Sequence, residues 1–157
     1  MSHSTESLRA QDVEIAWQPD PTWTATTMAP TDLTKEFMGI TIAHLERGHS
    51  VLQMTVRKEM ANGFGITHGG MVFTLADTAF AYACNETDSP TVASGVDVTF
   101  TRASHEGDTL TATAKRRWVQ GRNGLYDVTV TDQDGNVVAE FRGRSFTTNR
   151  PVPTESA

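Results

Sequence analysis

The chain has 157 residues, which suits one domain of ordinary size and argues against a second full domain. Its hydrophobic residues make up 38% and 12 glycines add to the apolar share, so the composition excludes wholesale disorder. Thirteen basic against 19 acidic residues give a formal charge of −6, which argues against non-specific nucleic-acid binding but still allows a local basic rim for a small phosphate ligand.

The expected cellular setting follows from three features of the sequence. The single cysteine, Cys84, cannot form an internal disulfide and lies in an apolar run, so a reduced, buried thiol is expected. The first residues lack a basic segment followed by an apolar one, which argues against a secretory signal. The longest apolar window, 71–84, is shorter than a membrane span. We therefore expect a soluble, cytoplasmic protein without a membrane partner.

Three regions differ in composition. Residues 1–36 are rich in Ser, Thr, Pro and Asp without periodicity, which predicts a mobile or loosely docked arm. Residues 37–148 carry the periodic segments of the domain, and residues 149–157 resemble a frayed tail.

The domain begins with strand patterns. Alternating segments at 39–46 and 49–56 flank Arg47-Gly48 and predict a hairpin. After Pro90, four further segments predict a four-strand meander: 91–100, 109–120, 124–132 and 136–147.

Between these groups, a glycine-rich passage at 62–70 leads into a segment of helical length at 71–86. Apolar residues cover almost the whole circumference of this helix, so we expect the rest of the fold to enclose it. The later connections are too short for parallel crossovers. The predicted class is therefore α+β, an antiparallel sheet wrapped round a central helix.

Asp77 is a lone carboxylate within this apolar helix. An ionised carboxylate is costly to bury without a partner, so the position requires a reason. Two interpretations remain open here: a structural hydrogen bond to a loop or partner subunit, and a catalytic role.

His68-Gly69-Gly70 lies where the helix begins, so unpaired backbone N–H groups and the positive end of the helix dipole meet there. This arrangement can hold an oxyanion, and a glycine lets a carbonyl approach the main chain, although such glycines also form simple turns. Asp77 follows Gly70 by seven residues, roughly 10 Å along the axis. One carbonyl cannot reach both groups in one helix. If both act on one substrate, the site must span at least a two-fold dimer.

The run from His68 to Asn85, with Gly107-Asp108-Thr109-Leu110 and the segment Phe141–Ser145, strongly resembles the hotdog-fold acyl-CoA thioesterases of the phenylacetic acid degradation family. The resemblance extends from about Gly39 to Thr147. It implies a hotdog fold, an acyl-CoA substrate, a site assembled across a dimer, and frequent pairing of dimers into a tetramer.

The resemblance also implies site roles. Asp77 would activate water or attack the thioester carbonyl, and Gly69 would supply the oxyanion N–H. Asn62 would polarise the carbonyl or orient water, although Asn-Gly is also a common turn pair. His68 would either order the loop by a hydrogen bond or transfer a proton. On this basis Asn62, His68 and Gly69 come from one subunit and Asp77 from its neighbour.

Substrate contacts are expected from Gly70, Ser94, Arg102 and Arg122. Some relatives place a serine or threonine on the strand after the helix to position water, and Ser94 is the nearest candidate, although a solvent-facing strand serine is the commoner explanation. Arg102 precedes Ala103 where relatives commonly have proline. Arg102, Arg122 and the other strand basic residues could bind CoA phosphates, although most of them are expected to be ordinary solvated strand positions: Lys115, Arg116, Arg117, Arg142 and Arg144. The histidines are scattered and no Cys-x-x-Cys or phosphate loop occurs, so neither a metal nor another cofactor is expected.

The leading functional prediction is hydrolysis of an arylacetyl-CoA or hydroxyphenylacetyl-CoA thioester, with the aryl preference implied by the resemblance alone. A non-catalytic acyl-CoA binding module is the main alternative, because fold does not establish activity. A hotdog hydratase or dehydratase is a weaker alternative, since the Asp/His or His/Glu motifs of those relatives are not apparent.

Overall fold

The computed structural model describes residues 23–151, and residues 1–22 and 152–157 lie outside this described part. The strands are β1 (Thr41–Glu46), β2 (His49–Thr55), β3 (Thr91–Phe100), β4 (Thr109–Gln120), β5 (Asn123–Thr131) and β6 (Val137–Thr147). The helices are α1 (Thr24–Met28), α2 (Leu33–Phe37) and α3 (Gly69–Cys84), with single 3-10 turns at Ala29–Thr31 and Lys58–Met60. No helix within residues 23–151 has the length and hydrophobicity required to cross a bilayer.

The six strands form one sheet in the order β1-β2-β4-β5-β6-β3, and each neighbouring pair is antiparallel. The predicted antiparallel α+β class is confirmed. The predicted meander of four strands is wrong in its first member, because β3 pairs with β6 and β2 lies beside β4. The connection between β3 and β4, residues 101–108, is long enough for β4 to pair elsewhere in the sheet than beside β3. The turn residues in this connection do not indicate which strand β4 pairs with.

Helix α3 packs on one face of this sheet and supplies much of the core. Leu75, Ala79 and Phe80 are almost fully buried. The Phe80 ring lies 5.6 Å from that of Tyr126 and 5.7 Å from that of Phe141, between centroids. A Cβ at Gly143 of β6 would come within 2.7 Å of the Phe80 ring, so a glycine is needed for the helix to pack this closely on the sheet.

The N-terminal segment differs from the prediction of a loosely docked arm over residues 1–36. Of that arm, residues 23–36 are described, and they form α1, a 3-10 turn and most of α2. Trp23 and Ala25 are buried, and the Ala25 amide donates to the Asn85 carbonyl at 3.0 Å. Apolar burial and backbone pairing hold this segment to the end of α3, which composition alone does not indicate. The predictions for residues 1–22 and for residues 152–157 of the tail lie outside the described residues.

Candidate active site

A cavity of about 390 Å³ lies where the glycine-rich loop, the start of α3 and the segment after β3 meet. Asn62, Gly69 and Arg102, three of the predicted site residues, line this cavity together. Val72, Phe100 and Val138 supply an apolar wall. A concave, largely apolar space with a few polar groups is typical of a small-molecule site.

Gly69 is the first residue of α3, and its N–H has no acceptor among the residues that the structure describes. The N–H groups at a helix start carry partial positive charge, so this amide can donate to an oxygen that develops negative charge. A Cβ at this position would lie 3.2 Å from the Phe100 ring. The glycine therefore keeps the cavity open beside its own amide.

His68 caps α3. Its Nδ1 accepts a hydrogen bond of 2.8 Å from the Gly70 N–H, which assigns the proton of the neutral ring to Nε2. This contact agrees with the loop-ordering role rather than with direct proton transfer from Nδ1. It also occupies the Gly70 amide, so the predicted contact of Gly70 with substrate cannot use that N–H while the cap is in place.

Asn62 stabilises the turn of the glycine-rich loop and also lines the cavity. Its Oδ1 accepts from the amides of Phe64 at 2.9 Å and Ile66 at 3.3 Å, which stabilises the turn. Its side-chain nitrogen has no partner among the described residues. Because Asn62 lines the cavity, this nitrogen can donate to a bound ligand.

Thr67 and Ser104 form a buried pair at the cavity wall that the sequence did not indicate. The Ser104 hydroxyl donates to Thr67 Oγ1 at 2.7 Å, and the Thr67 amide donates to the Ser104 carbonyl at 2.8 Å. These bonds tie the loop before α3 to the segment after β3. No local pattern could have revealed them, because 37 positions separate the two residues.

Asp77 does not line the cavity. It is half-buried on a stripe of α3 that this chain leaves partly open, together with Thr74 and Ala81, so the expectation of an enclosed helix is wrong along this stripe. Asp77 has no hydrogen-bond partner among the described residues, and desolvation by burial raises the pKa of its carboxyl group.

Within one chain, the structure does not bring Asp77 to Gly69. The two residues are eight positions apart in one helix, which corresponds to about 12 Å along its axis.

Ser94 and Arg122 also lie apart from the cavity within one chain. The exposed Ser94 hydroxyl donates a hydrogen bond of 3.2 Å to the Arg144 carbonyl. Ser94 lies six residues before Phe100, which lines the cavity, and this corresponds to about 20 Å along β3. Arg122 lies between β4 and β5, with its guanidinium 6.0 Å from the centroid of the Phe146 ring. Within one chain, neither side chain therefore contributes to the cavity.

Most of the other basic candidates are occupied in ion pairs. Arg117 and Arg142 contact Asp127, Arg144 contacts Asp97, and Arg116 contacts Glu86. Arg102 lies on the cavity and has no ion pair among residues 23–151, although its charge interacts with that of Asp132. It is therefore the basic residue best placed for an anionic ligand there.

The chain is similar to known thioesterases in sequence and structure. Residues 64–139 match the thioesterase superfamily. The acyl-coenzyme A thioesterase PaaI of Escherichia coli is 43% identical over 130 residues, which are 83% of this chain and 89% of that protein. The structure of the Escherichia coli PaaI protein from the phenylacetic acid degradation operon gives a TM-score of 0.80 at 41% identity, over 83% of this chain and 94% of that one. The structure of a variant of the phenylacetic acid degradation protein PaaI of Thermus thermophilus gives a TM-score of 0.71 at 33% identity, over 74% of this chain and 100% of that one.

Proposed function

We propose that this chain, a member of the thioesterase superfamily, hydrolyses arylacetyl thioesters such as phenylacetyl-CoA or hydroxyphenylacetyl-CoA. The chain has the hotdog fold and is an acyl-CoA thioesterase. The products are coenzyme A and the free acid, and the proposed setting is phenylacetate catabolism in the cytoplasm. The names of the Escherichia coli and Thermus thermophilus relatives support the pathway. The burial of the free thiol of Cys84 agrees with a reducing compartment.

The observation that carries the reaction is the Gly69 N–H at the start of α3, which has no acceptor among residues 23–151 and lies beside a cavity that Asn62 also lines. Thioester hydrolysis requires stabilisation of an oxyanion and a positioned oxygen nucleophile, and little acid assistance because a thiolate leaves readily. Gly69 and the amide nitrogen of Asn62 meet the first requirement. Arg102 would bind a phosphate of coenzyme A at the cavity.

Asp77 would meet the second requirement, either as a general base for water or as the attacking carboxylate. Its carboxyl group is half-buried and has no hydrogen-bond partner in the described part of the chain, which supports a role beyond structure. At about 12 Å from Gly69 it cannot reach the same carbonyl within one chain, so we place it in the site of a second copy.

The edge of the sheet supports association with a second copy. Strand β3 is an edge strand of 10 residues that pairs only with β6 among the described strands. Its Val92 and Phe100 are about half exposed. A long edge with apolar side chains is suited to pairing with another chain, and Phe100 also lines the cavity. A dimer across this edge, with dimers pairing into a tetramer, is part of the proposal.

The activity test measures release of coenzyme A from phenylacetyl-CoA, hydroxyphenylacetyl-CoA, benzoyl-CoA and straight-chain acyl-CoAs. Arylacetyl thioesters are expected to give the highest kcat/KM, and Asp77→Asn should lower kcat at least about a hundredfold while substrate still binds. A preference for straight chains would refute the substrate class. Binding of acyl-CoA without release of coenzyme A would instead favour the binding-module alternative.

The shared site is tested by mixing two inactive variants, Asp77→Asn and Asn62→Ala, after denaturation and refolding together. If Asn62 of one chain works with Asp77 of the other, random dimers regain about a quarter of the wild-type activity, because half of them carry one intact site of two. If each site lies within one chain, mixing restores nothing. Each variant refolded alone is the control.

A further inference from the structure

Three metal-binding side chains meet on the β1–β2 hairpin, on a face that the thioesterase chemistry does not use. His44 and Glu46 are two positions apart on β1, and Glu46 pairs across the hairpin with His49 of β2. Glu46 Oε1 lies 2.8 Å from His49 Nδ1 and 3.4 Å from His44 Nε2. The ligand atoms of the three residues all lie within 4.8 Å of one another. We call these residues the hairpin triad.

We propose that the hairpin triad binds a divalent transition-metal ion, for which Zn²⁺ is the natural choice. Imidazole nitrogens and one carboxylate oxygen are common Zn²⁺ ligands, with metal–ligand distances of about 2.0–2.2 Å. Two ligands of one tetrahedral Zn²⁺ therefore lie roughly 3.3 Å apart. The separations that Glu46 makes with both histidines bracket this value. The two histidine nitrogens lie within 4.8 Å of each other, so the exposed His44 side chain would close the remaining gap when the ion binds.

The local environment fixes which atoms are available. Nε2 of His49 is buried and has no partner among the described residues, so the accessible nitrogen of that ring is Nδ1, which already faces Glu46. Oε1 of Glu46 lies within 3.4 Å of a nitrogen of each histidine, so this oxygen is the carboxylate ligand. The exposed carboxylate leaves the fourth position to water.

One neighbouring charge opposes the ion. Lys115 of β4 lies directly across from His49 in the sheet and shares its face. Its positive charge on the same face would repel a bound dication, although the long side chain can turn toward solvent. Removing the charge of Lys115 should therefore strengthen metal binding, whereas removing a ligand of the hairpin triad should weaken it.

The bound ion would clip the edge strand β1 to β2 and stabilise that side of the sheet. The edge strand β1 lies at the opposite end of the strand order from β3, so the hairpin triad is separate from the cavity. The proposal does not depend on the proposed substrate, and its readouts are metal binding and thermal unfolding.

The experiment titrates the full chain, first treated with a chelator, with Zn²⁺ in a calorimeter and with Co²⁺ in a spectrophotometer. One ion per chain is expected, with the visible absorption of tetrahedral Co²⁺. His44→Ala and Glu46→Gln should each weaken binding at least about tenfold, and Lys115→Met should tighten it severalfold. His105→Ala, at an exposed histidine outside the triad, should leave the affinity unchanged.

Thermal unfolding gives a second readout. Saturating Zn²⁺ should raise the Tm of the wild type by several degrees and leave that of His44→Ala unchanged. His44 and Glu46 are exposed, so their variants are expected to fold, and circular dichroism checks this. Failure of the wild type to bind Zn²⁺ saturably, or undiminished affinity in both ligand variants, would overturn the proposal.

Discussion

Nδ1 of His68 accepts a 2.8 Å hydrogen bond from the amide of Gly70, two residues along the chain. This bond satisfies one amide at the start of α3, while the amide of Gly69 has no acceptor among the described residues. The cap therefore determines which amide of the His-Gly-Gly sequence remains available to a ligand. A histidine in this position can be essential without transferring a proton.

Gly69→Ala should impair catalysis while the protein remains folded. The new Cβ would lie 3.2 Å from the Phe100 ring, so the ring must move into the cavity or the helix start must shift. We expect kcat/KM to fall by about 10- to 100-fold, because small displacements at a reacting centre have effects of this size. The steady-state rate of coenzyme A release measures the change.

Gly63→Ala is the matched control, since it lies in the same loop and a Cβ there has no neighbour within 4 Å. This variant should keep wild-type activity, and both variants should unfold within about 1 kcal/mol of the wild type. Full activity in Gly69→Ala would contradict the assignment of this amide to the oxyanion.

Asp77→Asn should stabilise the protein at neutral pH while abolishing most activity. Burial raises the pKa of the Asp77 carboxyl group, so the folded state binds this proton more tightly than the unfolded state does. The free energy of unfolding therefore falls as pH rises from the pKa of Asp77 in the unfolded chain to its raised pKa in the folded protein. Above the folded-state pKa, the ionised carboxylate destabilises the fold. Asparagine has no charge to bury, so the Tm of the variant should exceed that of the wild type near pH 7.

The Tm difference between wild type and Asp77→Asn should narrow as pH is lowered toward about 4, the usual carboxyl pKa. Asp134→Asn, at an exposed carboxylate, is the control and should leave the Tm near the wild-type value at neutral pH. Protonation of Asp77 should also remove activity at acidic pH. The acidic fall in the pH–rate profile should lie at a higher pH than the usual pKa of a carboxyl group. A Tm of Asp77→Asn below that of the wild type at neutral pH would show that the carboxylate has a stabilising partner in the assembled protein.

The sequence predicted the parts of the fold that depend on local patterns. The hairpin around Gly48, the glycine-rich loop and the helix that carries Asp77 follow from alternation, turn residues and helical spacing, and all are present. Placement of β3 beside β6 was missed, because pairing between distant strands has no local signal. Burial of Trp23 was missed for the same reason, since its backbone neighbours bond to residues 85 and 87 at the far end of α3.

In the candidate site, the residues that are close in sequence could be predicted together, and those that only the fold brings together could not. Asn62 and Gly69 share a short loop, so sequence proximity already places them together, and the cavity adds Arg102 from the end of β3. The Thr67–Ser104 pair and the hairpin triad arise only when the sheet forms, and the sequence presented the histidines as scattered. Ser94 and Arg122 cannot be assigned from one chain, because a site that spans two copies is defined by an interface as well as by a fold.

Arg102→Ala should weaken binding of the coenzyme without changing the chemical step. The guanidinium has no ion pair among the described residues and lies on the cavity, where a phosphate can accept two hydrogen bonds from it. We expect KM for acyl-CoA to rise by about 10- to 100-fold with kcat nearly unchanged, because removal of a charge-assisted contact costs about 1.5–3 kcal/mol. The same acyl group on pantetheine, which lacks the nucleotide, should show no change in KM.

Arg122→Ala distinguishes the two predicted phosphate ligands. If Arg122 binds coenzyme A from the second copy, its loss should also raise KM for acyl-CoA and not for acyl-pantetheine. If the contact with Phe146 is its main role, KM should stay at the wild-type value. An equal rise in KM for both substrates with Arg102→Ala would instead place that residue beside the acyl or pantetheine group.

Asp32→Ala should destabilise the protein by about 1–3 kcal/mol, because one carboxylate makes two contacts that hold the N-terminal segment. Its Oδ1 accepts from the Lys35 amide at the start of α2, and its Oδ2 accepts from the hydroxyl of the buried Tyr82 at 3.0 Å. Truncation removes the helix cap and leaves the tyrosine hydroxyl of α3 without this acceptor. Urea unfolding followed by tryptophan fluorescence measures the loss.

Two further variants separate these contributions. Tyr82→Phe keeps the cap and removes only the hydroxyl, so it should cost about 1 kcal/mol, less than Asp32→Ala. Thr34→Ala, at an exposed position of α2, should change stability by no more than about 0.5 kcal/mol. If residues 23–36 were only loosely docked, as the composition of this region predicts, Asp32→Ala would match Thr34→Ala. A clear difference between them would make the segment a structural part of the domain, anchored to the same helix that carries Asp77.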